Sequence, residues 1–255
     1  MLRYQSGITL CASVLLVSAC FAFDQQPLAP ETPPPFEIVS IPPGEQIPQV
    51  LELRRVERQM GGPDRSIVEG SVSVDRGIAH RLLPTSSVTP ILPKGSRLYV
   101  IKVDFTLNKL EGKKSCRKMT LLLAVDEPGS TVIDFFPRHL NSSQQIPKSL
   151  AVTPSAELIG LQGSQGAFPV DALEPKITGF GKHEHNIYWT FEAAEGRSIA
   201  EGARSVFLVL TMPSERAKAL LSVEGEADIG SYAFGRWWWP DTSKSDISKL
   251  AVPLR

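Results

Sequence analysis

Apolar residues recur at every second position of the segment RLYVIKVDFTL, residues 97–107, with Lys102, Asp104 and Thr106 on the other parity. Side chains at i and i+2 of a β-strand lie on the same face, so this pattern predicts one buried face and one solvated face. The buried face would hold Tyr99, Ile101, Val103, Phe105 and Leu107. The segment MTLLLAVDE, residues 119–127, repeats the alternation through Met119, Leu121, Leu123 and Val125. Both segments are therefore predicted to be strands of a sheet with one apolar face.

Eight further segments have strand character and are separated by loops rich in Gly, Pro, Ser and Asn. They span residues 49–59, 65–74, 131–136, 149–153, 157–161, 186–193, 205–212 and 218–227. The first two flank Gly61-Gly62-Pro63-Asp64, which suits a hairpin, although the spacing of Val50, Leu53 and Met60 would also allow a short helix. Short strands at this spacing, with no helical pattern between them, predict an all-β fold. We expect a single antiparallel immunoglobulin-like β-sandwich of about nine or ten strands.

The segment SVFLVLTM, residues 205–212, differs from the others because it is apolar at both parities. A strand of this kind is typical of a sheet that is covered on both faces. We therefore predict that it lies in the centre of the fold.

The N-terminal segment has the organisation of a secretory signal. Arg3 precedes an uncharged run from Tyr4 to Phe23, whose apolar centre spans Ile8–Val17. A helix of that length rises about 15 Å, half of a bilayer core, so it suits a signal-peptide core better than a spanning helix. The run then continues into Val17-Ser18-Ala19-Cys20.

These four residues resemble the lipobox of bacterial lipoproteins, in which an aliphatic residue and two small residues precede an invariant cysteine. The resemblance implies that residues 1–19 are a signal peptide, that cleavage precedes Cys20, and that Cys20 carries the lipid, palmitate included. Phe21 follows the cysteine in place of an acidic retention signal, which implies an outer-membrane destination in a cell that has one. Ordinary cleavage after Ala19 or Ala22 with secretion, an uncleaved anchor and a buried core helix stay open as alternatives.

A proline-rich segment follows the cysteine. Eight of the 21 prolines lie between Pro27 and Pro48. Proline removes backbone donors and biases its neighbours toward extended geometry, so residues 20–48 are predicted to be a semi-rigid tether. A ligand for a proline-recognition domain is the alternative. The β-sandwich domain is then expected at 49–240, followed by a polar C-terminal tail at 241–255.

The composition limits the partners and the cross-links. Lys+Arg and Asp+Glu both number 27, so the net charge is zero and gives no electrostatic reason to expect a nucleic-acid partner. Of the three cysteines, Cys11 would leave with the signal peptide and Cys20 would be lipidated. An intramolecular disulfide at Cys116 is then impossible, and the domain must be stabilised by its apolar core.

Catalytic and cofactor motifs are scarce. The run Gln162-Gly163-Ser164-Gln165-Gly166 has Gln where a nucleophile elbow requires Gly. Gly179-Phe180-Gly181 has two of the glycines of a dinucleotide loop and no following helix. We therefore expect no cofactor and assign no catalytic residue.

His183 and His185 are the clustered histidines of the chain. On a strand, the i, i+2 spacing would present both imidazoles to one metal ion. A zinc site needs at least a third protein ligand, which the neighbouring sequence does not supply on the same face. A metal-binding periplasmic protein, or a metal-dependent enzyme, that uses these two residues is therefore the alternative function.

Two further features are predicted to contact a partner. The first is a basic hairpin tip between residues 107 and 119, carried by Lys113, Lys114, Arg117 and Lys118, whose cations would activate Cys116. The second is Trp237-Trp238-Trp239, because alternation prevents all three indoles from entering one core. A solvated turn and a lid packed over the end of the domain are the simpler alternatives.

These features together predict a lipid-anchored protein of the cell envelope. Its β-sandwich would be a non-catalytic binding or assembly module, with an envelope protein or a polysaccharide as its partner.

Overall fold

The computed structural model describes residues 36–56, 67–84, 92–108, 110, 112, 114–140, 149–151, 167–169, 176–181, 185–194, 197–199, 201–233 and 236–255. Fifteen β-strands occupy most of these residues, and the strands pair antiparallel. The prediction of an all-β antiparallel fold is therefore confirmed. The predicted signal segment, the lipobox-like residues, Gly61–Asp64 and His183 lie outside the described residues.

The strands have the following bounds: β1 Phe36–Ser40, β2 Gln49–Arg55, β3 Val68–Pro84, β4 Ser96–Leu107, β5 Lys114–Val125, β6 Thr131–Phe136, β7 His139–Leu140, β8 Ser149–Ala151, β9 Ala167–Pro169, β10 Lys176–Phe180, β11 Asn186–Glu192, β12 Gly202–Pro213, β13 Lys218–Ala233, β14 Arg236–Lys244 and β15 Ser248–Pro253. No helix long and apolar enough to cross a membrane occurs in this described part of the chain.

Thirteen of the strands join one antiparallel sheet. Its order is β6-β12-β4-β3-β2-β14-β13-β5-β11-β10-β7, with β1 added to β3 and β15 added to β13, while β8 and β9 form a separate pair. An immunoglobulin-like sandwich has two separate sheets, so the expected connectivity differs from this continuous sheet. The strand number also exceeds the nine or ten expected.

The length of β3 and β13 is the physical reason for this difference. β3 pairs with β2 over its first half and with β1 over its second half. β13 pairs with β15 and then with β14 in the same way. Each long strand changes its partner midway, and this keeps the two halves of the sheet continuous.

The two ends of the sheet approach each other through a short chain segment. Only Pro137 and Arg138 separate β6, at one end, from β7, at the other. The Trp189 indole of β11 donates a hydrogen bond to the Pro137 carbonyl at 3.0 Å, and the Gly179 amide of β10 donates to the Arg138 carbonyl at 2.7 Å. The sheet is therefore nearly closed into a barrel.

The inner face of the sheet holds one large apolar core. Edge-to-face ring contacts join its halves, Phe105 with Phe191 at 5.4 Å between centroids and Phe135 with Trp189 at 5.8 Å. All the core residues predicted for β4 and β5 are buried. β12 lies between β6 and β4 and is buried on both faces, because a second apolar cluster with Phe207 and Val209 covers its outer side. The predicted central strand is thus confirmed.

Two expected segment boundaries and one expected hairpin differ from the structure. β1 lies inside the expected tether, because Phe36 is buried in the second cluster. β4 and β5 are not neighbours in the sheet, so they form no hairpin. The expected tail at 241–255 instead completes β14 and contributes β15, whose Leu250 and Val252 are buried in the main core.

Candidate functional site

A cleft with charges of both signs lies where β2, β3, β5, β13 and β14 meet. It has a volume of about 210 Å³ and is lined by Arg55, Glu69, Lys114, Ile229, Gly230, Ser231 and Asp241. The register between β13 and β14 shifts between Ile229 and Ser231, where Gly230 alone faces Trp239 and Pro240, so β14 carries a bulge in the wall of the cleft. Bulges interrupt regular pairing and redirect side chains, so the local irregularity helps to open the cleft.

The Glu69 carboxylate is the centre of this cleft. Its side chain is 1% exposed, and Oε1 accepts hydrogen bonds from Arg55 Nε at 2.9 Å and Lys114 Nζ at 3.2 Å. Oε2 accepts a bond from Ser243 Oγ at 2.9 Å. Burial raises the pKa of Glu69, but the hydrogen bonds from Arg55, Ser243 and Lys114, with the charge of Lys114, together hold it below the ordinary value. The carboxylate is therefore ionised at neutral pH and fixes both cations.

The charges that line the cleft balance each other. Arg55 and Lys114 supply two cations, while Glu69 and Asp241 supply two anions. Arg55 Nε lies 3.4 Å from Asp241 Oδ2, and the Asp241 side chain is 46% exposed. Arg55 and Lys114 are each 29% exposed. The cleft thus presents both signs to a ligand, which suits a polar or zwitterionic group better than a polyanion.

The predicted tryptophan run and the predicted basic segment meet at this cleft. Trp238 of β14 is in register with Ser231 of β13, and Ser231 is in register with Lys114 of β5. Two strand spacings span about 10 Å, so these three backbone positions form one short row across the sheet. Trp237 and Trp239 are the neighbours of Trp238 on β14. The sequence gives no sign of this proximity, since more than a hundred residues separate Lys114 from Trp238.

The described basic residues lie on a strand rather than at the predicted hairpin tip. Lys114, Arg117 and Lys118 belong to β5, whereas Lys113 lies outside the described residues. Lys114 is paired with Glu69, and Arg117 is exposed at a register shift between β5 and β13. The segment before β5 crosses from one half of the sheet to the other, because β4 and β5 have no common edge.

Cys116 does not have the expected position at a charged surface. It is 1% exposed within the main core, and its Sγ donates to the Lys118 carbonyl at 3.2 Å. Burial separates the thiol from solvent. The prediction of an activated surface cysteine is therefore wrong.

The described part of the structure places no further metal ligands beside His185. His185 is exposed just before β11, and its carbonyl accepts a hydrogen bond from the Val125 amide at 2.9 Å. Within the described ranges, no group of three or more His, Cys, Asp or Glu residues is placed to hold a metal ion. His183 lies outside those ranges, so the shared face predicted for the two imidazoles stays a prediction.

A cluster of serine, lysine and aspartate contains residue types found in catalytic sites, but its geometry is that of a structural ion pair. Ser222 Oγ donates to Asp126 Oδ2 at 2.6 Å, and Lys249 Nζ lies 2.6 Å from the same hydroxyl. Lys249 also pairs with Asp126, and its hydrogen bond is the main cause that lowers the pKa of that carboxyl. An ammonium held by a carboxylate donates protons in hydrogen bonds and does not accept one from a serine, so this cluster is a structural ion pair.

Glu69 and one aromatic pair are functional candidates that sequence patterns do not predict. Glu69 lies in a predicted strand where alternation with Val72 and Val74 would direct it to solvent; a register shift between β2 and β3 changes its direction. Phe180 and Tyr188 stack on the outer face of β10 and β11 with ring centroids 5.1 Å apart. Tyr188 had a readable signal, because it shares its parity with polar Asn186 and Thr190 rather than with the core residues.

Comparisons with known proteins do not assign this chain to a family. No family model matches the chain, and no curated protein matches it. Among solved structures, Clostridium perfringens delta-toxin has a TM-score of 0.44 and 10% identity, over 85% of this chain and 93% of the toxin. A pore forming protein gives 0.43 and 8% over 85% and 94% of the two chains, and the membrane-inserted form of the Clostridium perfringens NetB toxin gives 0.35 and 8% over 80% and 94%. TM-scores below 0.5 at such identity assign neither a fold family nor an activity to this chain.

Proposed function

We propose that this chain is a lipid-anchored protein of the cell envelope whose antiparallel β domain is a non-catalytic binding or assembly module. The binding site is the cleft around Glu69, together with the tryptophan run beside it. The observation that carries the proposal is the row of Trp238, Ser231 and Lys114 across three adjacent strands. Aromatic residues next to paired charges are typical of surfaces that bind a polar partner.

The chemistry of the cleft supports binding rather than catalysis. A general base needs an accessible lone pair and a pKa near the working pH. Glu69 is buried, already accepts hydrogen bonds from three side chains, and has a lowered pKa. Its charge is used to position Arg55 and Lys114, which keep part of their side chains in contact with solvent.

The lipobox-like residues and the proline-rich segment support the location. A lipid on Cys20 would hold the protein at a membrane surface without a spanning helix. Prolines between Cys20 and β1 would extend the connecting chain and separate the domain from the headgroups. A partner of the cleft would then be another component of the envelope.

Photo-crosslinking of the full chain in a bacterial envelope tests the site. A photoreactive residue at Ser231, which is exposed in the cleft, should give a specific crosslinked product. The matched position is Thr131, exposed on β6 at the far end of the sheet, which should give none. Trp238→Ala should reduce the Ser231 product at least about fivefold while thermal melting stays cooperative. Equal products at both positions, or loss of folding in Trp238→Ala with no product at Ser231, would contradict the binding site.

The mass of the mature N-terminus in the same preparation tests the anchor. We expect a diacyl or triacyl mass on Cys20, which Cys20→Ala removes. Cys11→Ala is the matched control and should leave the acylated mass unchanged. An unmodified N-terminus at Cys20 or Phe23 would refute the anchor without affecting the crosslinking result.

A further inference from the structure

Two exposed aromatic rings stack on the outer face of β10 and β11. Phe180 and Tyr188 are cross-strand partners, with ring centroids 5.1 Å apart and an angle of 25° between the rings. Phe180 is 46% exposed and Tyr188 is 38% exposed. The core lies on the opposite face, where Ile187 and Trp189 are buried. Packing of the core therefore does not explain two large rings at this position.

Uncharged hydrogen-bonding side chains surround the two rings. Asn186 and Thr190 flank Tyr188 on the same face of β11, and Thr178 precedes Phe180 on the same face of β10. Thr190 Oγ1 lies 3.3 Å from Thr120 Oγ1 of β5, which extends the row of hydroxyls to the next strand. Asn186 is exposed and the threonines are half-buried, so their polar atoms border the rings at the surface.

The nearest charged groups of β10 and β11 neutralise each other. Lys176 Nζ and Glu192 Oε2 form an ion pair at 2.7 Å, at the end of the threonine row away from the rings. Across β5, the row of Tyr188 continues through Leu122 to a single acid, Glu224. Lys118 of β5 is in register with Glu192 on one side and with Asp228 of β13 on the other, so these described neighbours supply no surplus of cations for a phosphate backbone or an acidic chain. The surface is complementary to an uncharged ligand.

We propose that Phe180, Tyr188, Asn186, Thr178 and Thr190 form a glycan face that binds an uncharged pyranose oligosaccharide. A pyranose ring has a flat C–H surface that packs on an aromatic ring, whose face carries partial negative charge. Its hydroxyl groups both donate and accept hydrogen bonds, as do the amide and hydroxyl side chains beside the rings. A nucleobase would also stack on these rings, but the phosphates of a nucleic acid would require a surplus of cations, which the described neighbours of this face do not supply.

Glycine is required directly after β10, next to the two rings. Gly181, directly after Phe180, has φ +109°, and an added Cβ would overlap the Asn186 carbonyl oxygen. Only glycine has the freedom for this conformation. The backbone register therefore positions both rings before a ligand arrives, which lowers the entropy lost on binding.

The glycan face is separate from the cleft around Glu69. The row of Tyr188 meets β13 at Glu224, whereas the cleft meets β13 at Ser231. The seven residue steps from Glu224 to Ser231 span about 23 Å of strand. The two sites can therefore succeed or fail independently, and the glycan face does not depend on the lipid anchor.

Titration calorimetry of the purified full chain with cellohexaose and chitohexaose tests the glycan face. We expect at least one of these uncharged hexasaccharides to bind, and the comparison shows whether acetamido groups contribute. Phe180→Thr and Tyr188→Thr, which keep strand propensity, should each weaken binding at least tenfold. Tyr188→Phe keeps the ring and should stay within about threefold of the unchanged protein. Val50→Thr removes an exposed apolar side chain from β2 and should have no effect.

The same measurements can overturn the proposal. Absence of binding to both hexasaccharides, or binding that survives Phe180→Thr with Tyr188→Thr, excludes the glycan face. An equal loss in Val50→Thr also excludes it, since the effect would then be general. If Tyr188→Thr fails to melt cooperatively, Phe180→Thr decides the outcome, because Phe180 is the more exposed ring. A protein found on this face without any glycan binding would equally exclude it.

Discussion

Glu69 shows how much of the cleft depends on one carboxylate. It is almost fully buried and joins Arg55 of β2, Lys114 of β5 and Ser243 of β14. Removing one partner of a buried ion pair leaves the others charged in a site that water reaches poorly, which costs more than an exposed pair contributes. Both the stability of this region and the position of the cleft's cations therefore depend on Glu69.

We expect Glu69→Gln to lower the free energy of unfolding by about 3 kcal/mol at pH 7, at the lower end of the cost of breaking a buried pair. Urea denaturation measures the change. Glu52→Gln is the matched control, because Glu52 pairs with Arg54 at the surface and its side chain is 53% exposed. An exposed pair contributes less than about 1 kcal/mol, so the control should stay within that range.

The pH dependence of unfolding follows from the direction of the same shift. The pKa of Glu69 is lower in the folded protein than the value of 4.5 expected for an unperturbed carboxyl. Its stabilisation is therefore fully present above that value and is lost as the pH falls through the folded pKa. The unchanged protein should lose more unfolding free energy in acid than Glu69→Gln does. Parallel loss in both proteins would show that Glu69 is not the group responsible.

The contact between β3 and β15 depends on a glycine, Gly77, because any larger residue would fill the space between the strands. Gly77 follows the register shift in β3, and an added Cβ there would overlap the Val252 side chain of β15. The Gln46 side chain occupies the interrupted pairing, because its Oε1 accepts from the Gly77 amide at 2.9 Å and its Nε2 donates to the Gly77 carbonyl at 2.8 Å. Gly77 thus lets β15 pack directly against the second half of β3.

A double-mutant cycle tests this packing. Gly77→Ala should destabilise the protein by about 1–3 kcal/mol through overpacking, and Val252→Ala by about 2 kcal/mol through loss of buried methyl groups. The space left by Val252→Ala accommodates the new methyl group, so the double variant should be at least about 1 kcal/mol more stable than the sum predicts. Gly77→Ala with Val132→Ala, a buried valine of β6, should be additive. Additivity in both pairs would contradict the contact.

Local sequence patterns predict where the strands lie in the chain better than they predict which strands pair with each other. In β4 and β5 each residue's parity indicates its face, and Tyr99, Phe105 and Leu121 are buried as predicted. Strand order depends on pairings between distant segments, which alternation does not encode. The sequence therefore predicts a hairpin for the basic residues, whereas β5 pairs with β11 and β13. The role of Glu69 is not predictable from local alternation either, because its hydrogen-bond partners come from three other strands.

The C-terminal residues of the molecule pack in the main core and do not form an exposed tail. β15 pairs with the first half of β13, and its Leu250 and Val252 are at most 2% exposed. Leu254, just beyond β15, is buried to the same extent, and its amide donates to the Ala217 carbonyl at 2.8 Å. Residues 241–249 are polar except for Ile247, and this composition suggests a tail when the sequence is considered alone. The alternation of Leu250, Val252 and Leu254 was the signal of a strand.

Truncation after Lys244 tests the role of β15. Burial of a large aliphatic side chain contributes about 1.5–3 kcal/mol, so removing Leu250, Val252 and Leu254 costs about 5–9 kcal/mol, comparable to the whole stability of a typical domain. The truncated chain should show no cooperative thermal transition and should bind a hydrophobic dye. Deletion of Arg255 alone is the matched control. It removes bonds to the exposed carbonyls of Ser214 and Glu215 and should cost no more than about 1 kcal/mol. A cooperative transition near the unchanged melting temperature in the truncated chain would show that β13 and β3 close the core without β15.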